Sequence, residues 1–177
     1  LKAVNSRISK GYWIWGQFDA NTTNLINSLH KEINNKINGP NFDIHLTISG
    51  AFNYDAEKQK EIFEVISSNF NQIDLQLNGI NKTDEFFRSL FIDVAQNEDL
   101  NNLKSYIDKN FNINSLEYRP HISLFYGIED DAIKNEIIRS FKTPKSAIMD
   151  KISIVKVDEE IKSWEVLESY SLFKLKQ

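Results

Sequence analysis

The feature of this sequence that most constrains its fold is a short pattern that occurs twice. A histidine is followed two positions later by a hydroxyl residue, within an alternating apolar run, first at His45 and again at His121. Side chains alternate between the two faces of a strand, so His45 shares a face with Thr47 and His121 shares one with Ser123. The apolar residues between them turn to the other face. Both runs are therefore predicted to be half-buried strands.

The rest of the chain predicts strands and helices in a repeated order. The predicted strands are 12–18, 42–52, 73–77 with a turn near Gly79, 86–94, 118–126, 145–157 and 164–176, the last two forming a hairpin around 158–160. The predicted helices begin at Asp19 and end near Ile37, begin at Asp55, span 97–110 and span 130–141. This order predicts an α+β fold of two similar lobes with antiparallel sheets flanked by helices. A pseudo-twofold would bring the histidine strands together in a central cleft, within one bilobal domain over residues 1–177.

Composition excludes several classes of protein. The chain of 177 residues has no cysteine, which rules out disulfides and thiolate metal sites, and its 41% hydrophobic content suffices for a core. A net charge of −4 disfavours a surface for long polynucleotides. No secretory or membrane-spanning segment is visible in the sequence. We therefore expect a cytoplasmic monomer with a small ligand and no membrane partner.

The paired motifs carry side chains suited to acid–base chemistry on a phosphate. Histidine can act as base or acid near neutral pH, and two imidazoles on opposite sides of phosphorus could transfer protons in line. The hydroxyls of Thr47 and Ser123 could donate hydrogen bonds to phosphate oxygens. A single such motif is more often structural, but two in matched strands favour function. His30 lies within a predicted helix and is interpreted as a surface or structural residue.

A metal site is the third interpretation of the motifs. Asp43 and His45 share one face of the first predicted strand. No carboxylate flanks the second motif at matching spacing, and no thiol is present, so this interpretation is disfavoured. We expect no cofactor and no metal.

The two motif regions resemble those of a known superfamily. The segment Gly39–Ala51 and the segment Arg119–Gly127 are similar to the paired signatures of the two-histidine phosphoesterases, and they most resemble the plant and yeast cyclic phosphodiesterases. The early Tyr12–Trp15 strand, Phe86–Phe87 and the late Lys162–Glu165 stretch add to the similarity. Ile44 departs from the pattern, since many relatives have a proline before the first histidine.

The resemblance implies metal-independent opening of cyclic phosphates in a central cleft. Its implied substrates are ADP-ribose 1'',2''-cyclic phosphate and nucleoside 2',3'-cyclic phosphates, which give monoesters. By the same resemblance His45 and His121 are catalytic, and Thr47 and Ser123 bind phosphate. Tyr126 matches a tyrosine that lines the substrate pocket, although strict alternation would place it on the opposite face unless the strand bends or bulges.

Other residues and functions remain open at this stage. Arg119 shares a face with His121 by alternation and is a candidate substrate contact, as is Arg88, although exposed arginine is the default. Trp13 could stack on a nucleobase, but core packing is favoured for it, for Trp15 and for Trp164. The alternative functions are a phosphodiesterase acting on short RNA ends or 2',5'-oligoadenylate, and a nucleotide- or RNA-binding module without catalysis.

Overall fold

The computed structural model describes residues 10–114 and 117–173. Within these ranges the strands are β1 (Gly11–Phe18), β2 (Leu46–Phe52), β3 (Ile73–Lys82), β4 (Leu90–Val94), β5 (His121–Phe125), β6 (Ser146–Val157) and β7 (Glu165–Ser171). The helices are α1 (Ala20–Ile37), α2 (Ala56–Asn69), α3 (Glu98–Phe111) and α4 (Asp131–Ser140), with short 3₁₀ turns at Phe86–Arg88 and Ile161–Ser163. The predicted α+β class and the repeated order of elements are confirmed.

Polar side chains define where three helices begin. Asp19 accepts a hydrogen bond from the backbone N–H of Thr22 at 2.8 Å, and Asn97 accepts one from Leu100 at 3.0 Å. Asp55 caps α2 in the same way. These caps satisfy backbone donors that have no partner within the helix. They explain why the helix starts could be predicted from the sequence to within one residue.

All strand pairs are antiparallel, and their pairings close into a ring. The order is β1-β2-β5-β4-β3-β6, and β6 returns to pair with β1. The first residues of β6 pair with β3, and the remainder lies between β1 and β7. The ring brings β2 and β5, which carry the two motifs, next to each other.

Each motif strand is packed against a helix from the other half of the chain. Helix α1 precedes β2 in the chain but packs on β5, whereas α3 precedes β5 and packs on β2. Helix α2 packs on β7, and α4 on β3. This exchange gives the two halves the pseudo-twofold relation that the repeated order predicted. Within the described residues, no helix combines the length and apolar character needed to cross a membrane.

Three predicted strands begin three or four residues later than expected, because of local hydrogen bonds or a proline at their starts. The first motif strand begins at Leu46 rather than residue 42, since the His45 side chain bonds back to the carbonyl of Asp43. The predicted strand 86–94 opens with a 3₁₀ turn, closed by the bond from Arg88 N–H to the carbonyl of Glu85. The second motif strand begins at His121 because Pro120 has no N–H to give to a ladder.

Two turns predicted from the sequence also differ from those in the structure. Gly79 does not end β3; it lies within the strand, at a register shift against β4, with φ of +98°. Such a shift with a positive-φ glycine is a local bulge. The connection from β6 to β7 is longer than the predicted hairpin and includes the turn Ile161–Ser163. The final strand ends at Ser171 rather than at residue 176: residues 172 and 173 are not part of the strand, and residues 174–176 lie outside the described residues.

Candidate active site

The two motif strands meet at a single backbone pair. Leu46 of β2 is paired with Ile122 of β5. Both side chains are fully buried in the core, as the alternation predicted. Extending this antiparallel register by one residue in each direction sets Thr47 opposite His121 and His45 opposite Ser123. Each imidazole is thereby brought near the hydroxyl of the other motif.

Each motif strand contains one extra residue directly after its hydroxyl residue. In β2, Ser49 pairs with Ile14 and Thr47 with Trp15, which leaves Ile48 without a partner in β1. In β5, Phe125 pairs with Leu90 and Ser123 with Phe91, which leaves Leu124 without a partner in β4. These are matched β-bulges, a feature common beside active sites.

The bulge in β5 resolves the conflict over Tyr126. Leu124 and Phe125 are both packed in the core, so the alternation shifts by one and Tyr126 turns to the face of His121 and Ser123. The carbonyl of Leu124 accepts hydrogen bonds from His30 Nδ1 at 2.8 Å and from Asn34 Nδ2 at 2.9 Å. His30 is therefore a buried structural residue, and α1 holds the bulge in place.

Both histidines and both hydroxyl residues line one cavity of about 320 Å³. The cavity is lined by Trp13, Trp15, His45, Thr47, Glu85, Phe87, Arg88, His121, Ser123, Tyr126, Val157 and Trp164. Of the residues singled out from the sequence, the two histidines, Thr47, Ser123, Tyr126, Trp13 and Arg88 are brought together here. Their catalytic and binding roles are predictions.

His45 is buried under aromatic rings. The Trp15 indole is stacked on its imidazole, with ring centroids 3.5 Å apart and planes at 5°. Nδ1 donates to the carbonyl of Asp43 at 2.6 Å, so Nε2 keeps the free lone pair, with the hydroxyl of Tyr126 at 3.5 Å. Burial lowers the pKa of His45 to about 4, against the opposing effect of the Asp43 carbonyl. The ring is therefore neutral near pH 7.

His121 is held by a matching contact but in a more polar setting. Its Nδ1 donates to the carbonyl of Arg119, two residues earlier, at 2.9 Å, which again leaves Nε2 free. Burial lowers its pKa, and nearby Arg88 lowers it further, while the carboxylates of Glu85 and Asp93 raise it. The side chain is partly exposed, unlike that of His45.

Ser123 makes a hydrogen bond through its hydroxyl, whereas Thr47 makes one through its backbone carbonyl. Ser123 Oγ donates to the carbonyl of Phe87 at 3.3 Å, a long bond that a better acceptor in the cavity could replace by rotation about χ1. The carbonyl of Thr47 accepts from the hydroxyl of Tyr118 at 3.0 Å, which fixes the backbone of β2 at the motif. Both hydroxyls can therefore turn toward a ligand from fixed backbone positions.

Tryptophans contribute more to the cavity than the sequence indicated. Trp15 is buried as expected for core packing, but Trp13 and Trp164 are only half-buried and line the wall. Trp13 can lie close to β2 because Gly50 has no side chain; a Cβ there would be 2.4 Å from the indole. Trp164 Nε1 donates to the carbonyl of Asp158 at 2.9 Å, which fixes its ring. For Trp13 the sequence signal was the strand face that it shares with Trp15, whereas for Trp164 the sequence favoured core packing.

A second cavity of about 540 Å³ adjoins the first. The two share Trp13, Thr47, Glu85, Arg88 and His121. Arg119 lines only this second cavity, and its exposed guanidinium pairs with Glu117 at 2.9 Å. The structure therefore places Arg119 beside the candidate site rather than in its first cavity.

Among the described residues, no group of three or more His, Asp or Glu side chains could hold a metal ion. The Asp43 contact with His45 is made by its backbone carbonyl, not by its carboxylate. The pair that suggested a metal site in the sequence is thus held together by a hydrogen bond.

Comparison with known families agrees with this geometry. The family model described as "Cyclic phosphodiesterase-like protein" matches residues 17–172. The chain belongs to the cyclic phosphodiesterase-like protein family. No curated protein sequence matches the chain at a significant level. Membership in this family confirms the resemblance to the two-histidine phosphoesterases and indicates a hydrolase of phosphate esters.

Solved structures share the fold despite low sequence identity. Apo LigT of E. coli aligns with a TM-score of 0.66 at 13% identity, covering 93% of this chain and 98% of that chain. The protein TT0787 of Thermus thermophilus aligns with a TM-score of 0.66 at 12% identity, covering 93% of this chain and 99% of that chain. LigT has also been solved with 3'-AMP, and that structure aligns with a TM-score of 0.64 at 12% identity, covering 93% and 98%. The likeness confirms the fold.

Proposed function

We propose that this protein hydrolyses cyclic phosphodiesters, with His45 and His121 as the proton-transfer groups and Thr47 and Ser123 as phosphate-binding hydroxyls. The observation that carries the proposal is that all four side chains line one cavity, although they come from two distant segments. Two imidazoles whose Nδ1 atoms are both bonded to backbone carbonyls leave Nε2 for proton transfer, whereas binding alone would need no acid–base pair.

The proposed reaction adds water across one P–O bond of the ring. One imidazole takes a proton from the attacking water as its oxygen bonds to phosphorus. The other, protonated, gives a proton to the ribose oxygen as the P–O bond to it breaks. Hydroxyl donors at the non-bridging oxygens stabilise the charge that develops in the transition state. The two histidines end with exchanged protonation states, and proton exchange with solvent restores them.

The two environments favour different roles for the histidines. His45 is neutral near pH 7 because burial lowers its pKa to about 4, so it is ready to accept a proton. Burial also lowers the pKa of His121, but the Arg119 carbonyl and the carboxylates of Glu85 and Asp93 oppose this effect, and an anionic substrate would raise the pKa. We therefore assign the base to His45 and the acid to His121.

The size and lining of the cavity favour a nucleotide-sized substrate. Its volume of about 320 Å³ lies at the small end of the range for ligand sites. Half-buried Trp13 and Trp164, with Tyr126 beside His45, offer aromatic surface to a base or ribose. The proposed substrates are nucleoside 2',3'-cyclic phosphates and ADP-ribose 1'',2''-cyclic phosphate.

The test is turnover of these substrates and of a 2',5'-oligoadenylate in the presence of EDTA, with products resolved by ³¹P NMR. His45→Asn and His121→Asn should each lower kcat by roughly 100- to 10,000-fold, since each removes a proton-transfer group. Circular dichroism would establish that both variants are folded. Full activity in either variant, or loss of wild-type activity in EDTA, would contradict the mechanism. Preferred cleavage of 2',5'-oligoadenylate would assign a different substrate class.

A further inference from the structure

The proposed catalytic residues supply no fixed positive charge, because the charge on a protonated His121 is lost when it gives up its proton. A cyclic phosphodiester is an anion, and charge grows on its oxygens in the transition state. Thr47 and Ser123 are neutral, and burial lowers the pKa of His45 and of His121, which disfavours the charged form of each ring. A fixed cation beside the phosphate would compensate for this.

Arg88 is the cation at the junction of the two cavities. It lines both, whereas Lys104 and Arg119 line only the second. Lys104 pairs with Asp108 at 3.0 Å, and Arg119 pairs with Glu117. Across residues 10–114 and 117–173, no ion pair involves Arg88, and its buried Nε has no hydrogen-bond partner. Exposed Glu85 lines the same wall without pairing to it.

The backbone and side chain of Arg88 are both held in place. Its N–H donates to the carbonyl of Glu85 at 3.1 Å, and its carbonyl accepts from the hydroxyl of Thr83 at 2.6 Å. The guanidinium lies over the Phe91 ring, 5.1 Å from its centroid, and the same ring meets His121 edge-on at 5.4 Å. The turn that carries Arg88 is also bonded to the second motif through Phe87 and Ser123.

We propose that Arg88 is a further catalytic residue, which binds a non-bridging oxygen of the substrate phosphate beside His121. The inference rests on the proposed function. Its guanidinium supplies N–H donors and a charge that does not titrate, so it stabilises the phosphate before and during the reaction. Packing against Phe91 orients those donors, which are otherwise without a carboxylate partner. An exposed arginine with only a surface role would need neither feature.

The test compares Arg88→Gln and Arg88→Lys with Arg139→Gln. Arg139 is exposed on α4 and lines neither cavity, so this control removes the same charge away from the site. Arg88→Gln should lower kcat/KM for nucleoside 2',3'-cyclic phosphates about 10- to 100-fold, with a decrease in kcat as well as a rise in KM. Arg88→Lys should recover part of the loss. Arg139→Gln should stay within about threefold of wild type, because distant surface charge is screened.

Binding of inorganic phosphate, measured by calorimetry, separates this inference from the proposed function. Phosphate affinity should fall about 10-fold or more in Arg88→Gln and remain unchanged in Arg139→Gln. If Arg88→Gln retains wild-type turnover and phosphate affinity while the histidine variants are inactive, Arg88 has no such role and the proposed function stands. If wild type turns over no cyclic phosphate, the proposed function fails, and phosphate affinity alone decides whether Arg88 binds phosphate.

Discussion

Replacing His45 with asparagine should make the stability of the protein less dependent on pH. The imidazole is buried against Trp15, and burial lowers its pKa to about 4. Asparagine keeps a nitrogen close to the position of Nδ1, where it can donate to the carbonyl of Asp43 as the histidine does. It cannot bind a proton between pH 4 and 7, so the variant removes the titration and retains the local contact.

The sign and size of the effect follow from the two pKa values. A histidine in the unfolded chain has a pKa of about 6.5. Between pH 6.5 and about 4 the unfolded chain binds a proton at this site and the folded protein does not, so acid favours unfolding. The contribution is fully present above pH 6.5 and is lost as the pH falls toward 4. The loss is about 2 kcal/mol at pH 5 and about 3 kcal/mol at pH 4.

Urea unfolding followed by tryptophan fluorescence measures this directly. The difference in unfolding free energy between wild type and His45→Asn should shrink by about 2 kcal/mol from pH 7 to pH 5. His30 titrates in both proteins and cancels from the comparison, and the charge of His121 is the smallest of the causes that shift the pKa of His45. Ile33→Val is the control: it removes a buried methyl group in α1 and should cost about 1 kcal/mol at both pH values. A His45→Asn difference that is equal at pH 7 and pH 5 would refute the buried, neutral state of His45.

Three further predictions concern catalysis and packing. Thr47→Val and Ser123→Ala should each lower kcat by about 100-fold through loss of one hydroxyl donor; wild-type kcat in both would show that neither binds the phosphate. The pH profile of kcat/KM should be bell-shaped with its maximum on the acid side of pH 7, because the pKa of His45 is lowered to about 4 and that of His121 is also lowered; a maximum above pH 8 would contradict these roles. Gly39→Ala should destabilise the protein by about 1–3 kcal/mol, measured by urea unfolding, because the added Cβ would lie 1.8 Å from Asn34 Oδ1 and 2.6 Å from the Phe125 ring; an unchanged midpoint would mean that both side chains can move aside.

The faces of the two motif strands could be predicted because strand alternation is a local rule, and the repeated order of elements predicted that the strands meet. The apolar residues Leu46 and Ile122 are buried on the core face, as the period of two requires, and the histidines lie on the other face. The helix starts could also be predicted, because Asp19 and Asn97 are residue types that are preferred at helix N-caps.

The features that could not be predicted from the sequence depend on contacts between residues far apart in the chain. Nothing in the local sequence distinguishes Leu124 from its neighbours, yet it is the bulged residue, because its carbonyl bonds to α1 instead of to a strand. The 3₁₀ turn at Phe86–Arg88 likewise follows apolar residues that suit a strand, and it forms because Thr83 and Glu85 bond to Arg88. The stacking of Trp15 on His45 could not be predicted either, because it depends on which strands are neighbours in the ring.

The matched bulges have a consequence for transplanting this chemistry to another protein. Copying a histidine and a hydroxyl residue into a regular antiparallel ladder would reproduce the signature, but it would send the residue equivalent to Tyr126 into the core. A designer would need the extra residue in each strand. A neighbouring helix would also have to satisfy the freed carbonyl, as His30 and Asn34 do for Leu124. The portable unit is therefore a strand with its bulge and the helix behind it, and that helix comes from the other half of the chain.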